Sequence, residues 1–286
     1  MPITTDWHLH SRNSCDDACI PVADLISGAA AQGVLDYGLT DHLHTPFNLP
    51  DIAASRQEYL ASSPSPRFHF GIEVSCVSQW ELDELARGEP RPKPPVYGIR
   101  AGGPPAAPTA IGITAGDIAR YGIEYVIGGT HWPLYVPLER DAVIRDYHRQ
   151  NMFLAAHPLV DIVAHPWWWG GAWKSPEGTY DKEPWFDDFR VIPQSMHDEF
   201  AACVIQHGAL VEINTGANLL TKRYPARFFR QYLEYLAGLM ARGVKFSLGS
   251  DCHSAAYGPR FEEVAPMLES VGIRVEELWR LPPRAT

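Results

Sequence analysis

The sequence of 286 residues lacks any long hydrophobic run. No apolar stretch approaches the roughly 18 residues that a membrane-spanning helix needs, so we expect no membrane partner. The first residues also lack the basic segment and following apolar segment that mark a secretion signal. Cysteine is scarce: the five residues are odd in number and contain no Cys-x-x-Cys pair. We therefore expect reduced thiols in a cytoplasmic protein and no disulfide framework.

Basic residues are scarce relative to acidic ones. The chain has 24 Lys and Arg against 34 Asp and Glu, which gives a formal net charge of −10. Proteins that bind nucleic acid independently of its sequence depend on contacts from Lys and Arg to phosphates. The charge balance therefore argues against nucleic acid as a partner.

What the sequence does contain is a regular alternation of short apolar runs and helical patterns. Seven strand candidates end near Trp7–Leu9, Asp36–Thr40, Phe68–Val74, Tyr125–Gly128, Ile162–Ala164, Leu210–Ile213 and Phe246–Leu248. Helices are predicted over Val22–Gln32, Gly116–Tyr121, Arg140–Ala156, Ser195–His207, Ala226–Arg242 and Arg260–Val271. Strands that alternate with helices form parallel βαβ units. We therefore predict an α/β fold, a single domain over residues 1–286, in which seven strands close into an irregular barrel.

One segment, residues 76–114, interrupts this alternation. It contains seven prolines and five glycines in 39 positions. Such a composition does not allow a long helix or a central strand. We interpret the segment as an insertion after the third strand that covers one end of the barrel, since long loops are often functional. A surface insertion without a role in the site is the alternative interpretation.

Histidine is abundant, and half of the twelve histidines follow predicted strands. His8 and His10 end the first strand, where residues at i and i+2 point to the same face. Other strand ends carry further donor residues: His42, Glu73, His131, His165, Asp251 and His253. The carboxyl ends of the strands form one rim in parallel α/β barrels, so we expect these side chains to converge.

Imidazoles and carboxylates on one rim predict a centre of several metal ions. This donor set suits Zn, Mn or Fe and does not distinguish among them. A hydroxide bridging two such ions is a nucleophile at neutral pH, and the ions also neutralise a phosphoryl group. The sequence therefore predicts a metal-dependent enzyme, and the hydrolysis of a small phosphorylated metabolite suits the site best.

The motifs follow one another as His-x-His, Thr-Asp-His, Gly-x-Glu, Thr-His, Ala-His-Pro and Gly-Ser-Asp-x-His. This order resembles the PHP family, named for polymerase and histidinol phosphatase, over the whole chain except the insertion. Members of that family have a distorted (βα)7 barrel, similar to a TIM barrel, that holds two or three metal ions. The resemblance implies a phosphoesterase similar to histidinol phosphatases.

The resemblance also implies how the donor side chains divide among the ions. One residue, Glu73, would bridge the first and second ions. The acidic residue of the third site would be Asp16, eight positions after His8, with its neighbour Asp17 as the alternative. The three sets are His8, His10, Glu73 and Asp251; Glu73, His131 and His165; and Asp16, His42 and His253.

Residues that bind the substrate are predicted near the same rim. Phosphate recognition needs cations, for which we propose Arg12, Arg260 and Arg223. Five of the nine tryptophans lie within residues 167–185, after the fifth strand. We expect Trp167 to stack on a substrate ring or to line an apolar pocket, with packing inside the loop as the alternative.

Three further residues are assigned roles beside the metal ions. His44 follows His42 by two positions and is a candidate for facing the substrate. Asp251 or His253 is a candidate for carrying a proton to the leaving group.

Other functions also fit the motifs. A barrel metallohydrolase could cleave an amide or a lactone by the same chemistry, and the tryptophan-rich loop favours such a less charged substrate. A nuclease or nucleotide phosphoesterase would stack bases on aromatic residues, although the acidic charge argues against it. A module that binds metal only for structure would have degraded donor positions, and none of the nine positions is degraded.

Overall fold

Seven parallel strands lie side by side in the order in which they occur along the chain, and a short eighth strand, His42–Leu43, pairs with the third of them. The computed structural model describes residues 1–88, 95–168, 174–175, 178–179, 185, 188–222 and 224–284. The strands are β1 (Thr5–Leu9), β2 (Asp36–Leu39), β3 (Phe68–Ser75), β4 (Tyr125–Gly129), β5 (Ile162–Ala164), β6 (Leu210–Asn214) and β7 (Phe246–Gly249). All their residues are buried, as expected of parallel strands covered by helices.

The barrel is nearly closed by a short seam between β1 and the residues that follow β7. The backbone N–H of Asp251 donates to the carbonyl of His8 at 2.8 Å. The N–H of His10 donates to the carbonyl of Cys252 at 3.3 Å. The predicted fold class, a distorted α/β barrel of seven strands, is therefore confirmed.

Eight α-helices occur in the described part of the chain. They are α1 (Val22–Ala31), α2 (Leu49–Ala61), α3 (Gln79–Ala86), α4 (Ala115–Tyr121), α5 (Arg140–Ala156), α6 (Gln194–His207), α7 (Ala226–Ala241) and α8 (Phe261–Ser270). Six of them agree with predicted helices within one residue at each end. The sequence patterns missed α2, because it buries only Ile52, Ser55 and Tyr59 and therefore shows little apolar periodicity.

The segment 76–114 leaves the barrel directly after β3. Its two ends lie together, because Val77–Ser78 pairs antiparallel with Thr109–Ala110. The short helix α3 follows the first of these two strands. In its described part the segment adds no strand to the barrel, and its residues Tyr97 and Arg100 reach the cavity that is described below.

An aromatic cluster fills the barrel on the side of the amino ends of the strands. Trp7 and Trp279 lie with ring centroids 5.2 Å apart, and the Trp7 indole N–H donates to the carbonyl of Trp279 at 3.1 Å. The hydroxyl of Tyr125 donates to the carbonyl of Trp7 at 2.8 Å. The cavity described below lies on the opposite side, at the carboxyl ends of the strands. No helix among the described residues is long and apolar enough to cross a membrane.

Candidate metal centre

The structure brings the nine predicted donor side chains together at the carboxyl end of the barrel. Seven of them line a cavity of about 910 Å³. The other two, His8 and His10, are fully buried and contact the same carboxylates. The seven that line the cavity are Asp16, His42, Glu73, His131, His165, Asp251 and His253.

The first group of donors consists of His8, His10, Glu73 and Asp251. The Nε2 atoms of the two histidines lie 3.0 Å apart. Glu73 Oε2 lies 2.9 Å from His8 Nε2 and 3.4 Å from His10 Nε2. Asp251 Oδ1 lies 3.5 and 3.2 Å from the same two nitrogens. Ligands about 2.1 Å from one metal ion lie roughly 3.0–3.5 Å from one another, so these four atoms can share an ion.

Glu73 also faces a second group of donors through its other oxygen. Its Oε1 lies 3.0 Å from His131 Nε2 and 2.9 Å from His165 Nε2. The two oxygens of one buried carboxylate thus point at two different sets of imidazoles. Glu73 is placed to bridge two cations.

The third group is built around Asp16. Its Oδ2 lies 2.6 Å from His253 Nε2 and 3.2 Å from His42 Nε2. The other ring nitrogen of His42 lies 3.0 Å from Glu73 Oε2, so this group adjoins the first. Asp17 is exposed, although its carboxylate lies within 4.8 Å of donor atoms of Asp16 and His253. The contacts therefore favour Asp16 over Asp17 as the acidic member.

The electrostatics of these donors fit divalent cations. Burial would raise the pKa of Glu73, but His8, His42 and His131 outweigh it and hold that pKa well below the usual range. The pKa of Asp251 is also lowered well below its usual range, because nearby imidazoles outweigh the effect of burial. Both carboxylates are therefore ionised and can bind a metal ion. The side chains present form clusters able to hold metal.

A buried carboxylate that the sequence patterns did not reveal holds two of the histidines in place. Glu212 Oε1 lies 2.6 Å from His8 Nδ1. Its Oε2 accepts hydrogen bonds from the backbone N–H of His165 at 2.7 Å and from Asn214 Nδ2 at 3.1 Å. Because Glu212 takes the proton-bearing Nδ1 side of His8, the Nε2 atom is left free to act as a donor. Glu212 lies inside β6 and not at its end, so the search for strand ends missed it.

Ser75 connects two further histidines. Its Oγ lies 2.8 Å from His131 Nδ1 and 2.6 Å from His44 Nδ1. A serine hydroxyl can accept from one ring and donate to the other. If His131 is the donor ring, His44 keeps its proton on Nε2, a buried atom without a partner among the described residues. Burial, together with His42 and His131, lowers the pKa of His44 well below its ordinary value, so the ring is neutral.

His44 lines the cavity, as predicted, but Arg12 and Arg260 do not. The Nε atom of Arg12 donates to Glu58 at 3.1 Å. Arg260 is exposed and pairs with Glu263 in the first turn of α8, with Nε and Oε1 2.6 Å apart. Each arginine is thus turned away from the cavity by a carboxylate on a helix, and the prediction that they face it is wrong. Arg223 lies outside the described residues.

Trp167 is also not a lining residue. It is 1% exposed, its ring packs edge-on against Trp185 and His197, and the prediction that it faces the substrate is wrong. Trp167 has a φ of +65°, and this sharp turn brings the next residue, Trp168, to the cavity instead. The ring of Trp168 lies 5.2 Å from that of His165, centroid to centroid. Most of the remaining tryptophan-rich loop lies outside the described residues.

Comparisons with known proteins show similarity in fold but no match in sequence. No family model and no curated protein sequence matches the chain. Among solved structures it is similar to a "putative histidinol phosphatase" from Listeria monocytogenes, with a TM-score of 0.53 and 11% identity over 88% of this chain and 96% of that one. A Xaa-Pro dipeptidase and an ochratoxinase from A. niger also match. The dipeptidase has a TM-score of 0.37 and 11% identity, and the match covers 94% of this chain and 59% of that one. The ochratoxinase has a TM-score of 0.38 and 12% identity, and the match covers 96% of this chain and 68% of that one.

Proposed function

We propose that the protein is a metal-dependent hydrolase, and more narrowly a phosphomonoesterase that acts on a small phosphorylated metabolite. The observation that carries the proposal is the position of Glu73, whose two oxygens face two sets of imidazoles. A carboxylate so placed can hold two cations close together, as in many enzymes that cleave phosphate esters. The motifs that resemble the PHP family, and the fold shared with the protein from Listeria monocytogenes, support phosphate esters as substrates.

Two or three divalent ions (Zn, Mn or Fe) would be held by the nine donor side chains. Such ions supply a nucleophile from water at neutral pH and positive charge for the phosphoryl oxygens. Six of the nine donors are neutral imidazoles when they bind a metal, so the loaded site is net positive although the chain has a charge of −10. A small anion suits such a site.

The remaining steps belong to side chains of the cavity. With His131 donating to Ser75 and Ser75 donating to His44 Nδ1, His44 offers an N–H from its Nε2 atom to a substrate oxygen. His253 lies at the edge of the cavity, where its Nδ1 donates to the carbonyl of Asp251 at 2.9 Å. We propose His253 or Asp251 as the carrier of a proton to the leaving group. His253 could do so only with two ions bound and its Nε2 free of metal, and the ionised Asp251 would first have to take the proton from the attacking water.

The test is a screen of the purified protein for phosphate release from a panel of phosphate monoesters, with Mn, Zn and Fe supplied separately. We expect turnover with at least one metal and its loss in the His10→Ala variant, with the fold retained by circular dichroism. His148→Ala is the matched control, since His148 does not line the cavity and pairs with Glu199 on a neighbouring helix. Less than one equivalent of bound metal, with no activity on adding Mn or Zn, would show the proposal to be wrong.

A second candidate is a metallohydrolase that cleaves an amide, an ester or a lactone. The aromatic lining of the cavity favours it, because Tyr97, Trp132 and Trp168 present apolar surface beside the donors. Turnover of carboxylic esters or amides by the loaded protein, without phosphate release from any monoester, would select this candidate.

A further inference from the structure

Arg100 places a positive charge on the wall of the cavity. It belongs to the inserted segment, and its guanidinium group stacks on the ring of Trp132. Trp132 in turn contacts His131 and His44, with ring centroids 5.4 and 5.3 Å apart. The ring of Trp132 therefore separates Arg100 from the donor residues. At this distance Arg100 can contact a part of the substrate that the metal ions do not bind.

The charge of Arg100 is not neutralised by an ion pair within the described residues. No carboxylate among them forms an ion pair with it, and its Nη1 atom is buried without a hydrogen-bond partner. Glu81, the acidic residue that influences it most, accepts instead from the backbone N–H of Ile99 and from the hydroxyl of Tyr135. Burial raises the pKa of Glu81, which weakens it further as a counter-ion. A charged group with a buried, unpartnered N–H is costly in the free protein, and a bound anion that accepts from it removes that cost.

We propose that Arg100 binds an oxyanion of the substrate, either a phosphate or a carboxylate, and so selects acidic substrates. The proposal rests on the function proposed above and names a specificity residue for it. A guanidinium presents five N–H donors in a planar fork that matches the oxygens of both groups. Stacking on Trp132 fixes the plane of this fork, which reduces the entropy lost on binding. The inserted segment then has a role in substrate choice.

The proposal is tested by calorimetric titration of the manganese-loaded, full-length protein with inorganic phosphate and, separately, with benzoate. The Arg100→Gln variant is expected to bind at least one of the two anions about tenfold or more weakly, since a charged hydrogen bond is lost. The two titrations identify which oxyanion Arg100 prefers. Arg12→Gln is the control, because Arg12 lies outside the cavity and pairs with Glu58; its affinities are expected to equal those of the wild type.

Thermal unfolding separates a binding role from a structural one. Since Arg100 has no partner among the described residues, Arg100→Gln without added anion is expected to keep the Tm of the wild type or to exceed it. The preferred anion should raise the Tm of the wild type and not that of the variant.

Three outcomes would overturn the assignment: equal affinities of wild type and Arg100→Gln, no binding of either anion by the wild type, or a lower Tm of the free variant. A wild type that binds benzoate through Arg100 but hydrolyses no phosphate ester would instead refute the phosphomonoesterase proposal alone.

Discussion

At the scale of single residues, some of the donors on the rim depend on partners that orient them. Glu212 is such a partner, because its two oxygens accept from His8 and from the backbone of His165 at the same time. Ser75 has a similar position between His131 and His44. Metal-binding histidines generally need a hydrogen bond on the far ring nitrogen to fix the tautomer. Such residues should therefore affect metal affinity without touching the metal.

We predict that Glu212→Gln lowers metal affinity by about 10–100-fold. The amide of glutamine would place an NH2 group against a backbone N–H or a ring N–H where the carboxylate now accepts two hydrogen bonds. The measurement is a competition titration with a chromogenic chelator. Glu199→Gln, on the surface, is the control and should bind metal like the wild type. Unchanged affinity in Glu212→Gln would mean that His8 is oriented without it.

A second residue-scale prediction concerns pH and lies away from the cavity. His197 packs between Phe189 and Tyr235, and burial lowers its pKa to about 4. The unfolded chain binds a proton on this ring below its ordinary pKa of about 6.5, whereas the native state does not bind it until about pH 4. The unfolding free energy therefore falls as the pH drops through this window.

Between pH 7 and pH 5, the titration of His197 alone lowers the unfolding free energy by about 2 kcal/mol, by the linkage of pKa to stability. The His197→Phe variant removes the titrating group and should lose correspondingly less stability over that range. Urea unfolding at the two pH values measures the difference. Equal losses in wild type and variant would contradict the assignment.

The sequence sufficed to predict the residues whose chemistry coincides with a strand end. His8, His42 and His165 each follow an apolar run, so their position in a barrel follows from the strand pattern. Arg100 and Glu212 could not be found in this way, because one lies in an insertion and the other inside a strand. Their importance depends on contacts between parts of the chain that are far apart in sequence.

At the scale of elements, the strands end in residues that leave room for the donors. Gly129 ends β4, and a Cβ atom there would lie 2.7 Å from Glu73 Oε1 and 2.9 Å from the ring of His165. Gly249 ends β7, and a Cβ atom there would lie 2.4 Å from the Cβ of His8. Such distances are shorter than van der Waals contact. The glycines therefore allow imidazoles and carboxylates from neighbouring strands to meet at the rim.

We expect Gly129→Ala to lower metal affinity by at least about tenfold, because the added methyl group displaces Glu73 and His165 by the overpacking that small-to-large substitutions cause. Metal titration measures the loss, and circular dichroism reports whether the barrel persists. Gly116→Ala in α4 is the control, since a Cβ atom there meets only Thr114 Oγ1 at an ordinary 3.5 Å. Wild-type affinity in Gly129→Ala would show that the rim can adjust.

Elements were predicted well where apolar periodicity is strong and poorly where it is weak. All seven predicted strands were found because each contains a short apolar run, although buried polar residues such as Asp6, Glu73 and Glu212 interrupt three of them. Helix α2 was missed, and with it Glu58, the residue that pairs with Arg12 and turns it away from the cavity. Trp167 was preferred over Trp168 because a positive φ at Trp167 cannot be inferred from the pattern of side chains. Backbone turns of this kind depend on tertiary packing.

At the scale of the whole molecule, the donors lie across the seam where the barrel closes. His8 lies in β1 and His10 directly after it, whereas Asp251 and His253 follow β7, more than 240 positions later. Only a few backbone hydrogen bonds join these two parts, among them Asp251 N–H to the carbonyl of His8. A metal ion shared by both sides would act as a crosslink between the first and the last strand, and ions that bind only the native state stabilise it.

Removal of metal is therefore expected to weaken the seam more than the rest of the barrel. Dialysis against a chelator should lower the Tm, and addition of Mn or Zn should restore it. Amide hydrogen exchange at Asp251 and His10 should accelerate in the chelated protein, because their N–H groups bond across the seam. Amides between β3 and β4, which pair in continuous register, serve as the internal control. Equal exchange at the seam with and without metal would mean that the barrel closes by its backbone contacts alone.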